Sequence, residues 1–300
     1  MKQSRIHLLV FTFAACIPLL AGFSACRPRA ATGTRYDLKG KVVSVEKDKR
    51  LVTVAHEDIK GYMPGMVMPF ALKDAWPFEV LASGDQISAT LVVDGPSSWL
   101  EDVVITQESE APATKAADGI GEAKAGDEVP QFELVNQDGR KIKLNDYRGK
   151  ALALTFIYTR CPIPEYCTLM SNNFAQIDQQ LQQQSELYQK THLLSISIDP
   201  EYDQSAVLRS YGAAHTGKYS DEKFDHWEFA SGNKDQVKGI AQFFGMRYYH
   251  DAQSGQDQII HSLRTAVIAP DGKIYKVYRG NEWKPEEVVN NLKSLAKDSK

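Results

Sequence analysis

The apolar run Ala151–Tyr158, interrupted only by Thr155, stops just before Cys161-Pro-Ile-Pro-Glu-Tyr-Cys167, and this junction constrains the fold more than any other stretch of the chain. A strand-length run without polar alternation reads as a strand buried in a sheet. Pro162 and Pro164 forbid a regular helix through the cysteine segment. Cys161 therefore belongs to a loop at the carboxyl end of the strand, and Cys167 to the start of the following helix. That helix is legible over Thr168–Gln184, where Met170, Phe174, Ile177 and Leu181 recur at helical spacing. Leu193–Ile198 is a second buried strand and Trp227–Ala230 a short one. Asp203–Gly212 and Lys234–Phe244 read as helices. Arg264–Ile268 and Lys273–Val277 flank the turn Pro270-Asp-Gly272, and Glu286–Ala296 is a closing helix. A βαβ core followed by a hairpin and a helix predicts an α/β thioredoxin-like domain over residues 126–300.

Ahead of it, residues 107–125 are rich in Ala, Glu, Lys and Gly and almost lack large apolar residues, the composition of a flexible linker. Such a tether raises the effective concentration of the parts it joins and needs no stable interface between them. Residues 35–106 carry short strands (Lys41–Val45, Leu51–His56, Ile87–Val93, Val103–Thr106) and no clear helix, which predicts a small all-β barrel of OB type. Residues 1–26 read as an export signal: Lys2 and Arg5, then the apolar Leu8–Ala21, then small residues before Cys26. Ala25-Cys26 suggests a lipoprotein site, which would attach the chain to a membrane through Cys26 on the periplasmic side. Ordinary cleavage near Ala25 and an uncleaved anchor are the alternatives. All three place the body outside the cytoplasm, where disulfides are allowed. A net charge of −3 gives no reason to invoke nucleic acid.

Four cysteines are present, and Cys16 and Cys26 fall in the signal, so Cys161 and Cys167 are the thiols of the body. His261 precedes the strand Arg264–Ile268. In a thioredoxin-like sheet that strand runs antiparallel to Ala151–Tyr158, which brings His261 to the edge holding the cysteines. Asp199 ends the second parallel strand at the same edge, able to steady an imidazole or a basic group. Two sulfurs and an imidazole form a soft set that suits Cu(I) or Cu(II), whereas structural zinc normally takes four protein ligands. A structural disulfide is the bland alternative. Peroxidase chemistry would need an anion-stabilising partner for its cysteine, and Arg160 is the one nearby candidate. In the front part, His56 ends a strand, and Met66 and Met68 share a strand face. Imidazole with thioethers fits Cu(I), and core packing by methionine is the alternative.

Longer stretches carry a family resemblance. Gly126-Asp-Glu-Val-Pro-Gln-Phe-Glu-Leu134, Tyr147-Arg-Gly-Lys150, Thr155-Phe-Ile-Tyr-Thr-Arg-Cys-Pro162, Ser197-Ile-Asp-Pro200 with Asp203, and His261-Ser262 before Pro270-Asp-Gly272 resemble the Sco/SenC copper proteins. The resemblance implies a thioredoxin-like fold, copper held by Cys161, Cys167 and His261, and a metallochaperone role in assembling the copper centre of a terminal oxidase such as cytochrome c oxidase, with an oxidase subunit as acceptor. The five residues between the cysteines exceed the commonest family spacing. Val54-Ala-His-Glu57 and Met63-Pro-Gly-Met-Val-Met-Pro-Phe70 are similar to the CusF-type periplasmic copper-binding domain. That likeness implies Cu(I) ligation by His56, Met66 and Met68 in a five-stranded barrel, with Met63 at a position the family often gives to a tryptophan. A carrier of this kind is not an enzyme. The enzymatic alternative is a thiol–disulfide oxidoreductase that uses Cys161 and Cys167 to reduce the cysteines of a copper-site target.

Overall fold

The structure, a computed structural model, describes residues 33–107, 109, 123–161, 163–251 and 258–298. The expected signal with Cys16 and Cys26, most of the expected linker and Pro162 lie outside the described residues.

The front part is a closed barrel of β1 (Thr34–Glu46), β2 (Leu51–His56), β3 (Met66–Leu72), β4 (Gln86–Asp94) and β5 (Ser97–Gln107), in the order β1-β2-β3-β5-β4. β1 is much longer than its apolar alternation suggested, because it serves two neighbours. Thr34–Lys41 pairs with β4, and Gly40–Glu46 pairs with β2. Gly40 stands in both ladders, and a Cβ there would lie 2.6 Å from the Ala55 carbonyl and 2.7 Å from His56 Cα. Closure comes from the parallel pairs Ala71↔Trp99 and Leu72↔Leu100. Leu38, Val52, Val54, Phe70, Leu91 and Leu100 fill the interior, and each fully buried side chain of this size contributes about 1.5–3 kcal/mol. The expectation of a front part without helix needs correction. Pro77 opens a short helix α1 (Pro77–Val80), where the ring pre-sets φ and its missing N–H costs nothing.

The back part begins with the hairpin β6 (Glu133–Asn136) and β7 (Lys141–Lys143), followed by β8 (Ala151–Ile157), α2 (Leu169–Gln182), α3 (Ser185–Gln189), β9 (Thr191–Ser197) and α4 (Ser205–Thr216). It continues through β10 (Trp227–Ser231), α5 (Lys234–Phe243), β11 (Tyr248–Asp251), β12 (Gln258–His261), β13 (Arg264–Ile268), β14 (Ile274–Arg279) and α6 (Pro285–Asp298). The sheet has the order β14-β13-β8-β9-β10-β6-β7, while β11 and β12 form a separate ribbon. β8, β9 and β10 are parallel, and every residue of β8 and β9 is buried, the polar Thr155, Thr191, His192, Ser195 and Ser197 included. Met170, Phe174, Ile177 and Leu181 of α2 are fully buried in the same core. β13 runs antiparallel to β8 from Thr265↔Thr155 to Ile268↔Leu152. The residues just before β13 therefore lie at the carboxyl end of β8, where the cysteine segment begins.

The sequence pattern left the two parts free to act without a lasting interface, and here the structure differs. Ile105 N–H donates to the Tyr166 hydroxyl at 2.9 Å, and Asn281 N–H to the Thr106 carbonyl at 3.1 Å. The Arg247 guanidinium meets the Val80 carbonyl and lies 3.2 Å from the Asp85 carboxylate. Linker composition says nothing of such contacts, because it does not register complementarity between the surfaces that the linker joins.

Candidate metal centre

The turn carrying the cysteines follows from its prolines. Residues Pro164–Thr168 form one wide π-type turn that leads into α2, and Tyr166 within it leaves helical geometry (φ −106, ψ −109). Cys161 precedes this turn and is partly exposed, while Cys167 lies inside it and is fully buried. His261 ends β12 and is 1% exposed. The Sγ atoms of Cys161 and Cys167 and one ring nitrogen of His261 all lie within 4.8 Å of one another.

Hydrogen bonds orient these donors. His261 Nδ1 lies 2.9 Å from the Ser262 carbonyl, which only accepts, so Nδ1 carries the proton. The Nε2 lone pair is left facing Cys167 Sγ at 3.5 Å. Cys167 Sγ also accepts the Tyr158 N–H at 3.4 Å. The Cys161 thiol is held well below its ordinary range chiefly by a hydrogen bond from Cys167, against the opposing effect of burial. Burial pushes Cys167 up. The pair thus shares a proton, with negative charge on the more accessible sulfur. Such a set can close on a soft metal ion, or its low thiolate can attack a disulfide.

The surroundings are largely aromatic. Tyr158 and Tyr166 present their rings edge-on to His261, with centroids 5.6 and 5.7 Å away. Burial, then the charge at Cys161, raises the Tyr158 hydroxyl pKa, so it stays protonated beside the sulfurs. Asp199 does not steady His261; its carboxylate pairs with Arg160, at 2.7 Å from one guanidinium nitrogen, and the Arg160 guanidinium stacks over the Tyr202 ring. The buried Asp203 carboxylate accepts bonds from Ser197 Oγ and from Thr159 N and Oγ1, tying the ends of β8 and β9 together. The sequence reading missed the two tyrosines and the Ser262 carbonyl. Tyr158 and Tyr166 do neighbour the cysteines in sequence, but their contact with His261 is nonlocal.

In the barrel, the β2–β3 ladder sets His56 opposite Met66 and Val54 opposite Met68, so Met68 is the diagonal neighbour of His56. Met63 bridges back to Ile59, and with Met68 it packs against the barrel core, while Met66 is exposed. His56 Nδ1 lies 2.8 Å from the Glu57 carbonyl and so carries the proton. Its Nε2 is buried with no hydrogen-bond partner. An orphaned buried acceptor costs about 1–3 kcal/mol; a bound soft cation would satisfy it, and the register puts the thioethers of Met66 and Met68 on the strand paired with His56. The donor set therefore fits Cu(I).

Residues 35–104 match the model of a family described as copper binding periplasmic protein CusF. A "SCO1 protein homolog" of Bacillus subtilis is 27% identical over 171 residues, covering 56% of this chain and 83% of that protein. The crystal structure of a SCO1/SenC family lipoprotein from Bacillus anthracis is 23% identical at a TM-score of 0.48, covering 56% of this chain and 95% of the other. The structure of Bradyrhizobium japonicum ScoI with copper bound is 20% identical at a TM-score of 0.46, covering 57% and 99%. The model of the family described as SCO1/SenC matches residues 121–297, more than half of the sequence, and the chain belongs to the SCO1/SenC family.

Proposed function

We propose that this chain is an exported copper carrier with two metal sites, one in each part. Cys161, Cys167 and His261 hold copper in the thioredoxin-like part, and His56, Met66 and Met68 hold Cu(I) in the barrel beneath Met63. The observation that carries the reading is the convergence of two sulfurs and an unprotonated imidazole nitrogen within 4.8 Å at one sheet edge. Buried soft donors of this kind hold copper tightly, and the partly exposed Cys161 gives an acceptor a place to begin ligand exchange. The cargo then leaves by stepwise replacement of these ligands with those of an acceptor, such as an oxidase subunit whose copper centre is being assembled. Attachment through Cys26 would hold the carrier at the membrane beside that acceptor. Among the described residues no helix is long and apolar enough to cross a membrane.

Anaerobic titration of the reduced protein tests this, with the bound metal counted by native mass spectrometry. Two copper ions per chain are expected, one lost in Cys161→Ser, Cys167→Ser or His261→Ala and the other in His56→Ala. A reduced protein that binds none would end the proposal.

The lowered Cys161 thiol favours a second reading, in which the pair reduces a disulfide on the target's copper site. Exchange would begin with Cys161 attacking one target sulfur and releasing the other as a thiol. Cys167 would then displace the mixed disulfide, leaving Cys161–Cys167 oxidised and the target reduced. His261→Ala discriminates, because a carrier loses copper while an oxidoreductase keeps its exchange rate.

A further inference from the structure

The segments that flank Cys167 and His261 are contacted from two sides by the barrel. On one side stands Tyr166, immediately before Cys167 and inside the long inter-cysteine loop. Its hydroxyl accepts the Ile105 N–H of β5 at 2.9 Å in a buried hydrogen bond, and its ring lies against His261. Ile163 and Pro164 of the same loop line a groove of about 670 Å³ against Leu38, Trp76 and Val103 of the barrel. On the other side stands Arg247. Its guanidinium reaches Val80 and Asp85 of the barrel. Its backbone exchanges bonds with Ser262, which donates its N–H at 2.7 Å and accepts at its hydroxyl at 2.9 Å. The Ser262 carbonyl in turn fixes the His261 tautomer.

We propose that the barrel positions the Cys161–Cys167–His261 centre, with Tyr166 and Arg247 as the positioning residues, so that docking of the barrel and copper binding at that centre are thermodynamically linked. The inference rests on the ligand assignment above. A five-residue loop between two ligands samples many conformers when free, and ordering it opposes metal binding. Anchoring Tyr166 removes part of that cost in advance. The loop is long enough to touch the barrel, which gives its added length a purpose. Linkage is reciprocal, so copper at the centre must also tighten the Ile105–Tyr166 contact.

The test uses the full chain and Tyr166→Phe, which keeps the ring on His261 and removes the hydroxyl. Copper affinity at the Cys/Cys/His centre should fall about fivefold, the worth of one buried hydrogen bond, and the sulfur-to-Cu(II) absorption should shift. Affinity at the barrel site should not change. In the wild type, copper should slow hydrogen exchange at the Ile105 amide, and in Tyr166→Phe it should not. Arg247→Met should show the same loss from the opposite side, and it serves alone if Tyr166→Phe does not fold. The inference is overturned if a folded variant keeps both the wild-type affinity and spectrum, or if copper leaves Ile105 exchange unchanged in the wild type. Cys161→Ser is the control. Copper retained by that variant removes the ligand assignment and the inference together, whereas copper lost there but unaffected by Tyr166→Phe removes the inference alone.

Discussion

Replacing Glu228 by Gln should weaken the scaffold without touching the metal chemistry. Glu228 is buried on β10, and its carboxylate accepts bonds from Asn136 Nδ2 and Tyr147 Oη at 2.7 Å and from His192 Nε2 at 3.0 Å. Burial alone would raise its pKa, but the three donors outweigh that effect and bring it from 4.5 down to about 2. The His192 contact has the length of an ion pair, yet burial lowers the pKa of His192. Its neutral imidazole therefore donates a hydrogen bond, with Nδ1 left unpartnered. A carboxylate whose folded pKa lies below its unfolded value contributes stability fully present above about 4.5 and lost as pH falls toward about 2. At about 1.36 kcal/mol per pKa unit the contribution is on the order of 3 kcal/mol. Urea denaturation of the reduced, copper-free protein at a series of pH values reads it directly. Near neutral pH the Gln variant should be less stable by about that amount, and the two stability curves should converge as pH approaches about 2. Copper affinity should be unchanged. A constant offset between the curves across that window would refute the reasoning, because the depressed carboxylate would then not be Glu228.

The His192 side of this network adds a milder acid sensitivity. Its folded pKa lies below 6.5, so stability should already begin to fall as pH drops below that value, and His192→Gln should remove this early slope in the same denaturation series. His261→Ala should weaken copper binding at the back-part centre by more than about 100-fold, beyond the cost usual for disturbing a residue that only supports a ligand; competition with a Cu(I) chelator measures it. Gly40→Ala should destabilise the barrel by about 1–3 kcal/mol and weaken its copper site, because the new Cβ would press on the His56 backbone; thermal melts and copper stoichiometry would show both effects. Phe174→Ala, in the centre of the α2 face, should cost about 3–5 kcal/mol in urea denaturation.

Elements whose burial is one-dimensional were legible. β8, β9 and α2 declared themselves because a short segment dense in apolar residues between breaks, or a helical apolar stripe, has few other solutions. The short hairpins β6–β7 and β11–β12 did not, since strands of three or four residues carry too little periodicity to register. β1 was read too short because its polar first half is held by pairing with β4 and not by apolar alternation. The site residues Cys161, Cys167 and His261 were named from chemistry and sheet direction, and the structure brings them together. For Asp199 the sequence offered an edge of the sheet and either an imidazole or a basic group as partner; that the partner is the basic Arg160 depends on how the loop after β8 turns.

Residue order alone placed Cys161 and His261 at the carboxyl edge of a parallel sheet, and His56 at the end of one barrel strand with Met66 and Met68 on one face of another. These follow from local pattern and from the fixed direction of strands. Only the tertiary structure decided which histidine nitrogen faces the sulfurs, which thiol is buried, and that the barrel touches the cysteine loop. Those outcomes rest on hydrogen bonds between residues far apart in the chain, such as Ile105 with Tyr166, and no spacing rule along a sequence encodes them.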